Sequence, residues 1–461
     1  MPHKPEIRTM KEFIPSPAFC MPSAGHRSDG STDGPIVLRS LGMICLLILF
    51  PLSAWTQALT PAASVAAALR QSPQVRIAKA VRDAALVEAE RGKPTARPTL
   101  EARASGLLQG PRAVFPRPDG SAATVLPEEV ARLDLILEQP LYRAGQHAAQ
   151  DRYGAALGEA EWEYRRAMSA VAVAARKAYI DVLRAAAGVR VAQDGLEAAQ
   201  RVQELVTRQI AAGIARPIDA GTAAGQAAEA QVGLTQAASA LKLAHMNFNR
   251  ALGRELKTEV ALEPLSDAPK APDSPDAAIA AAWKHRPELQ LLGETLRGAQ
   301  AGIALAKLQN QPGLNFRGLL SEQTPSAFVR EHYAAAILEL RWPILDGGKT
   351  RLDTQEARAQ TARVEALRDD ARQGVALEVT QFWQKMRDAQ EKIGFAHIQS
   401  ESLDTAAAVA EKAYEVGRGT VIEVQAAQRE VRGARARESQ ALYDLHTAAA
   451  DFAHAQGEDV P

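Results

Sequence analysis

Apolar residues recur at heptad spacing over two long stretches. Val171, Ala175, Ala178, Val182, Ala185, Val189 and Ala192 form one seam. Val375, Val379, Phe382, Met386, Ala389, Ile393 and Ala396 form another, 204 residues later. The same shift carries Gly213 onto Gly417, Asp219 onto Glu423 and Gly253 onto Gly457. One long helical unit is therefore present twice. No proline interrupts Gly145 to Gly213. The pattern predicts a helix over 145–212, on the order of 100 Å long at about 1.5 Å per residue, and a second over 217–253. The second copy predicts helices over 348–416 and 420–456. A further stripe (Ile180, Leu183, Ala187 and Val191) runs beside the first. A helix with two seams has neighbours on both sides, as in a sheet or cylinder of helices, and small alanine knobs let those neighbours approach closely.

Upstream of each long helix the period changes to two. Leu100, Ala102 and Ala104 alternate with Glu101, Arg103 and Ser105, and Leu133, Leu135 and Leu137 with Asp134, Ile136 and Glu138. In the second copy Leu314, Phe316, Gly318 and Leu320 alternate with Asn315, Arg317 and Leu319, and Leu338, Leu340 and Trp342 with Ile337, Glu339 and Arg341, so the second face is polar or mixed. These runs predict strands at about 99–109, 130–141, 313–322 and 333–343, each with one apolar face. Their length suits membrane strands of about 9–11 residues with lipid on one side and water on the other; two soluble β-hairpins are the other reading. Pro73 to Pro287 and Pro98 to Pro312 are both shifts of 214, whereas Pro140 to Pro343 is 203. The first copy thus holds 11 extra residues, assigned to a loop in the turn-rich segment 110–120. The first repeat spans 59–260, a linker 261–275, the second repeat 276–457, and a tail 458–461.

Composition narrows the function. There are 54 basic and 54 acidic residues, which leaves no electrostatic footprint for nucleic acid. Aromatics make up only 5%. Both cysteines, Cys20 and Cys45, precede residue 59. An apolar run from Leu41 to Phe50 follows Arg39 and ends in small residues at Thr56-Gln57-Ala58. Residues 37–58 therefore read as a signal peptide cleaved after Ala58, with Ala54 the second candidate site and a buried helix or membrane anchor the other reading, and 1–36 as a non-structural extension. Cleavage leaves a chain without thiols, so no disulfide or cysteine metal site is expected. No catalytic constellation and no phosphate loop is evident. His446, His454 and Asp451 lie on one predicted helix, but the reading is of no metal site, no cofactor and no enzyme.

Four membrane strands cannot close a barrel, and open edges in lipid leave backbone groups unsatisfied at several kcal/mol each. Several chains would have to contribute. At this point the mature chain, over roughly 59–457, resembles the TolC-like outer membrane efflux protein family. The segment Ala413-Tyr414-Glu415-Val416-Gly417-Arg418-Gly419-Thr420-Val421-Ile422-Glu423 is similar to the family's helix-tip motif, and Arg341-Trp342-Pro343-Ile344-Leu345-Asp346-Gly347-Gly348 to its strand-exit motif. The first copy has weaker versions, Gln139 to Gly145 and Ile210 to Ile214. The resemblance implies a mainly α fold with membrane β. The duplicated β-hairpin plus long-helix repeat would form, as a homotrimer, a twelve-stranded outer membrane β-barrel continued by a periplasmic α-helical barrel. It also implies a periplasmic adaptor (membrane fusion protein), an inner-membrane pump of the RND or ABC type, and outer membrane lipid as partners. The function implied is the exit duct of a tripartite efflux or type I secretion system. The alternative from the residues alone is a soluble periplasmic coiled-coil scaffold or adaptor.

By the same resemblance Glu423 and Asp219 approach the pore axis at the periplasmic mouth, where three copies make carboxylate rings that favour cations. The other reading is that both are solvated residues stabilised at a helix N-terminus. Tyr414 and Arg418 are candidates to latch the tip to Asp219. The chain departs from the family pattern at Ala426, where a second acidic residue is common, and at Gly419, where a latching arginine is expected. Gly213, Ile214, Val416, Gly417 and Thr420 are the expected adaptor-docking tips, with both glycines ending their helices in left-handed caps. Arg103, Arg317, Glu339 and Arg341 are expected to line the barrel lumen.

Overall fold

In this computed structural model the described residues are 58–93, 97–265 and 269–458, which belong to one unit. The extension, nearly all of the predicted signal peptide and both cysteines lie outside them. Each repeat opens with two short helices, α1 (Pro61–Gln71) and α2 (Pro73–Gly92), or α5 (Asp276–His285) and α6 (Pro287–Lys307). The Thr60 and Ser72 side chains cap the first pair by accepting the N–H groups of Ala63 and Gln74, and α1, α2 and α6 each begin with proline, whose missing N–H costs nothing in the first turn.

Strands β1 (Thr99–Leu108) and β4 (Glu129–Arg143) pair antiparallel, as do β5 (Gly313–Gln323) and β6 (His332–Arg341). β4 also pairs with β5, which joins the two hairpins into one sheet of order β1–β4–β5–β6. The turn-rich insertion read as a loop forms a hairpin of its own, β2 (Ala113–Pro116) and β3 (Ala122–Leu126). Its backbone is tied to the β5–β6 connection, where the Ala327 N–H donates to the Thr124 carbonyl at 2.6 Å.

The long helices are α3 (Gln146–Ala211, 66 residues) and α7 (Lys349–Glu415, 67 residues), each followed by a shorter partner, α4 (Pro217–Leu252) and α8 (Val421–Ala455). They pack in the order α4–α3–α8–α7, an open wall. The heptad seam of α3 is its contact with α4: Val171, Ala175, Tyr179 and Val182 bury against Phe248 and Leu252, with α1 and α2 closing the cluster. Val375, Val379, Met386 and Ala389 of α7 do the same against Leu445, Ala448 and Phe452. Burying a Phe or Leu side chain of this kind is worth about 1.5–3 kcal/mol. The second stripe makes the α3–α8 seam, where Ile180 and Ala187 meet Tyr443 and Ala450. The Tyr179 hydroxyl donates toward the carbonyls of Leu59 and Glu263 at 2.9 and 2.6 Å, fastening the chain before α1 and the linker to α3. No helix among the described residues is long and apolar enough to cross a membrane.

Candidate functional site

The far ends of the helix pairs form one tip. Gly213 and Gly417 both have φ of 73°, which a side chain strongly disfavours. Each reverses the chain in a Schellman arrangement: the Ile214 N–H reaches the Gln209 carbonyl at 2.9 Å, and the Arg418 N–H reaches that of Ala413 at 2.8 Å. The two reversals touch. A Cβ built on Gly417 would sit 3.6 Å from Ile214 Cγ2, and Gln209 Nε2 donates to the Glu415 carbonyl at 3.0 Å. Beneath them Val202, Leu205, Val206, Ala223, Tyr414, Val421 and Val424 make a small apolar core that locks the tips of all four helices.

Asp219 and Glu423 occupy the third helical position of α4 and α8, and both carboxylates accept the backbone N–H of the N-cap residue: Arg216 at 3.1 Å and Thr420 at 2.8 Å. Thr420 Oγ1 accepts the Glu423 N–H at 3.3 Å, completing a capping box on α8. There the likeness ends. Asp219 is only 8% exposed, and its second oxygen is taken by Arg216 Nη2 at 3.2 Å. Glu423 is exposed, and only its Oε2 takes part in a hydrogen bond among the described residues. Arg216 was not picked out by sequence reasoning. Its signal is the register, because the 204-residue shift lays Arg216 on Thr420, so the first copy has a cation where the second has a capping hydroxyl.

Tyr414 is buried, and its hydroxyl makes no hydrogen bond among the described residues. Burial pushes that hydroxyl up, and the nearby Asp219 charge adds to the effect. Asp219 is thus within electrostatic reach of Tyr414, but the group that binds it in one chain is Arg216. Arg418 is exposed and forms no ion pair among the described residues. Val416 and Ile214 stand out at the extreme tip with large apolar surfaces exposed.

Register gives the sheet an apolar face and a mainly charged one, which also carries Ile136, Leu319 and Ile337. Glu138 lies opposite Thr99 and Arg317, and Asp134 opposite Arg103 and Ser321. Arg317 opposes Ile337, Asn315 opposes Glu339, and Gly313 opposes Arg341. Arg103, Arg317, Glu339 and Arg341 therefore share one polar face with Glu138 and Asp134. Arg317 Nη2 pairs with Glu138 Oε1 at 2.7 Å, and Arg103 Nη2 with Glu101 Oε1 at 2.9 Å. Ser321 donates to Asp134 at 2.6 Å. The other face carries Leu100, Leu133, Leu135, Leu320, Leu338 and Leu340, all substantially exposed.

The histidine pair near the C-terminus is dispersed. His454 Nδ1 lies 3.1 Å from the Ser169 hydroxyl, Asp451 pairs with Lys177, and burial lowers the His446 pKa. No group of three His, Cys, Asp or Glu among the described residues is placed to hold a metal ion.

Comparison with known proteins agrees with this geometry. Residues 278–458, the second repeat, match the family described as outer membrane efflux protein. Protein CyaE of Bordetella pertussis is 27% identical over 292 residues, which cover 61% of this chain and 60% of CyaE, less than two thirds of that relative's length. The fold is that of solved outer membrane proteins. VceC of Vibrio cholerae superposes with a TM-score of 0.71 at 16% identity, covering 86% of this chain and 96% of that one. The CmeC outer membrane channel of Campylobacter jejuni superposes at 0.69 with 14% identity, covering 87% and 86%. The second repeat thus carries the sequence pattern of the outer membrane efflux protein family, and the chain as a whole has the fold of solved outer membrane channels.

Proposed function

We propose that this protein is an outer membrane exit duct of a tripartite efflux or type I secretion system, a passive channel for substrates delivered by an inner-membrane pump through a periplasmic adaptor. The observation that carries the reading is the sheet β1–β4–β5–β6. One face is apolar and exposed, the other is mainly charged, and both edge strands, β1 and β6, lack a partner among the described residues. Only closure by further copies satisfies such edges in lipid. Three copies give twelve strands. The helical wall α4–α3–α8–α7 is open at corresponding edges, with Val232 and Leu243 exposed on α4 and Phe395, Ile398 and Val409 on α7. Apolar edges of this kind suit burial against neighbouring copies in a closed α-barrel that reaches into the periplasm.

The charged sheet face would line the barrel lumen, and the helix tips would form the periplasmic mouth. Glu423, free on one oxygen, is the group best placed to supply a carboxylate ring there. Asp219 carries its own counter-ion and contributes less net charge. Gly213, Ile214, Val416, Gly417 and Thr420 present the surface an adaptor hairpin would grip. Fractionation with sucrose-gradient separation tests the reading. The expected result is outer membrane enrichment, with a band on detergent gels that shifts on heating as a trimer dissociates. A protein found wholly in the soluble periplasm overturns it.

A further inference from the structure

The linker between the repeats runs across one face of the helical wall. The Trp383 indole N–H donates to the Pro272 carbonyl at 2.7 Å, and Gln390 Oε1 accepts the Ala271 N–H at 3.2 Å. Tyr179 holds Leu59 and Glu263 against α3 in the same way. Such a belt on the inner side would plug a duct, so these faces of α3 and α7 point outward. Lys385 and Lys392 follow Trp383 and Gln390 by two residues, about 200° round α7, and Gln399 lies one heptad further on. On α3, Lys177 and Arg184 are likewise roughly opposite Tyr179. These five side chains belong to the lumen side.

A groove of about 850 Å³ opens on that side between α7 and α8. This volume is within the range of small-molecule sites, about 300–1,000 Å³. Ala389, Ala441 and Ala448, all buried, make its floor. Its rim is charged, and the charges are unevenly paired. Asp444 accepts from Arg184 Nη2 at 3.0 Å and Asp451 pairs with Lys177, so α3 neutralises both rim acids of α8. Lys392 and Arg437 have no acid partner among the described residues. Lys385 Nζ lies over the Phe382 ring, 4.9 Å from its centroid. Asp388 is the one rim acid without a cation, and it accepts the Gln384 amide at 2.8 Å. Three cations thus border an apolar floor against one uncompensated acid.

We infer that this groove binds small amphipathic organic anions, apolar bodies that end in a carboxylate or sulfonate, as they pass along the lumen. The apolar body lies on the alanine floor and the acid group meets Lys392 and Arg437. The inference rests on the duct reading above. Weak binding suits a duct, because cargo must leave the site as readily as it enters.

The chain from Leu59 onward has no cysteine, so a Gln399→Cys variant of the full protein reports on the groove. Val416→Cys is the control at the tip, and the unsubstituted protein is the blank. The trimers are placed in planar bilayers and treated with a sulfonate-bearing methanethiosulfonate, and modification is read by conductance and by mass. In Gln399→Cys, modification is expected to change the conductance, and naphthalenesulfonate to slow it severalfold. Methanesulfonate, which lacks the apolar body, and naphthylmethylammonium, which has the opposite charge, should not slow it. Adding Lys392→Gln and Arg437→Gln should abolish the protection, and Val416→Cys should show none. Absent protection, equal protection by all three probes, or protection that survives the loss of both cations overturns the groove as an anion site, while the conductance change upholds the duct. Modification without a conductance change places the groove outside the lumen, and a thiol that does not react means that a neighbouring copy covers it; either outcome sinks the inference. If the protein forms no conducting channel, the duct reading itself fails and the inference with it.

Discussion

Gln209 of α3 donates to the backbone carbonyl of Glu415 at the end of α7, across 3.0 Å and between the two repeats. It is the one side-chain hydrogen bond that ties the two tip reversals together among the described residues. Replacing Gln209 with Ala removes a bond worth about 1 kcal/mol net. The expected outcome is a local rise in amide exchange at Gly417 and Arg418, about fivefold, with the global melting temperature nearly unchanged. Unaltered exchange would show that the apolar core beneath holds the tip without this bond.

Glu423→Gln is expected to lower cation preference in planar bilayers while leaving the fold intact. Glutamine retains an oxygen for the Thr420 N–H, so the capping box survives, and only the charge is lost. Unchanged ion selectivity would reject Glu423 as the ring-forming group. Asp219→Asn should alter selectivity less than Glu423→Gln does, because Arg216 already neutralises that carboxylate.

Gly417→Ala places a Cβ on a residue with φ of 73°. The expected cost is about 1 kcal/mol of local stability, from left-handed strain, since the 3.6 Å approach to Ile214 is ordinary contact. Protease sensitivity at the tip is the measurement, and an equal change for Gly394→Ala, in mid-helix with open space around it, would point to a non-local cause.

Arg286 is nearly buried and bonds to both Glu378 on α7 and Glu288 on α6. Glu378→Ala leaves the guanidinium with one partner. Glu378 is itself more than a third exposed, so solvent moderates the loss, and about 1–2 kcal/mol is expected. Thermal unfolding of the detergent-solubilised protein tests this. A matching loss in Glu288→Ala would show that the two carboxylates share the load.

His397 Nδ1 and Glu438 Oε1 lie 2.7 Å apart and bridge α7 to α8. Hydrogen bonding to Glu438 raises the His397 pKa above its ordinary value of 6.5, and the same bond lowers that of Glu438 below 4.5. The raised histidine contributes stability that is full below 6.5 and fades as pH rises through its folded pKa. The lowered carboxylate contributes stability that is full above 4.5 and fades as pH falls through its folded pKa. The contribution of this pair to the α7–α8 contact is therefore greatest between about pH 4.5 and 6.5. His397→Gln is expected to flatten the fall in melting temperature from pH 6 to pH 9, and an unchanged slope would exclude the pair as its source.

The fold class was legible because it rests on local periods. The Val171–Ala192 seam and its repeat at Val375–Ala396 mark helices with packed neighbours, and the alternation of Leu133, Leu135 and Leu137 with Asp134, Ile136 and Glu138 marks a two-faced strand. The insertion was read as loop because glycine and proline crowd it, yet Val114–Pro116 and Ala122–Thr124 pair across that turn. Local turn chemistry does not report whether the arms of a long loop will find each other.

The amino-acid sequence by itself determined the duplicated unit, the lengths of its helices and the two faces of its strands, since these follow from residue spacing along one element. Only the tertiary structure decided what separates the copies. β4 meets β5 across 170 or more residues of chain. Asp219 is withdrawn onto Arg216 while Glu423 stays open, and Arg286 finds Glu378 on another helix. These are contacts between distant elements, whose energies depend on burial and approach, and a one-dimensional pattern records neither.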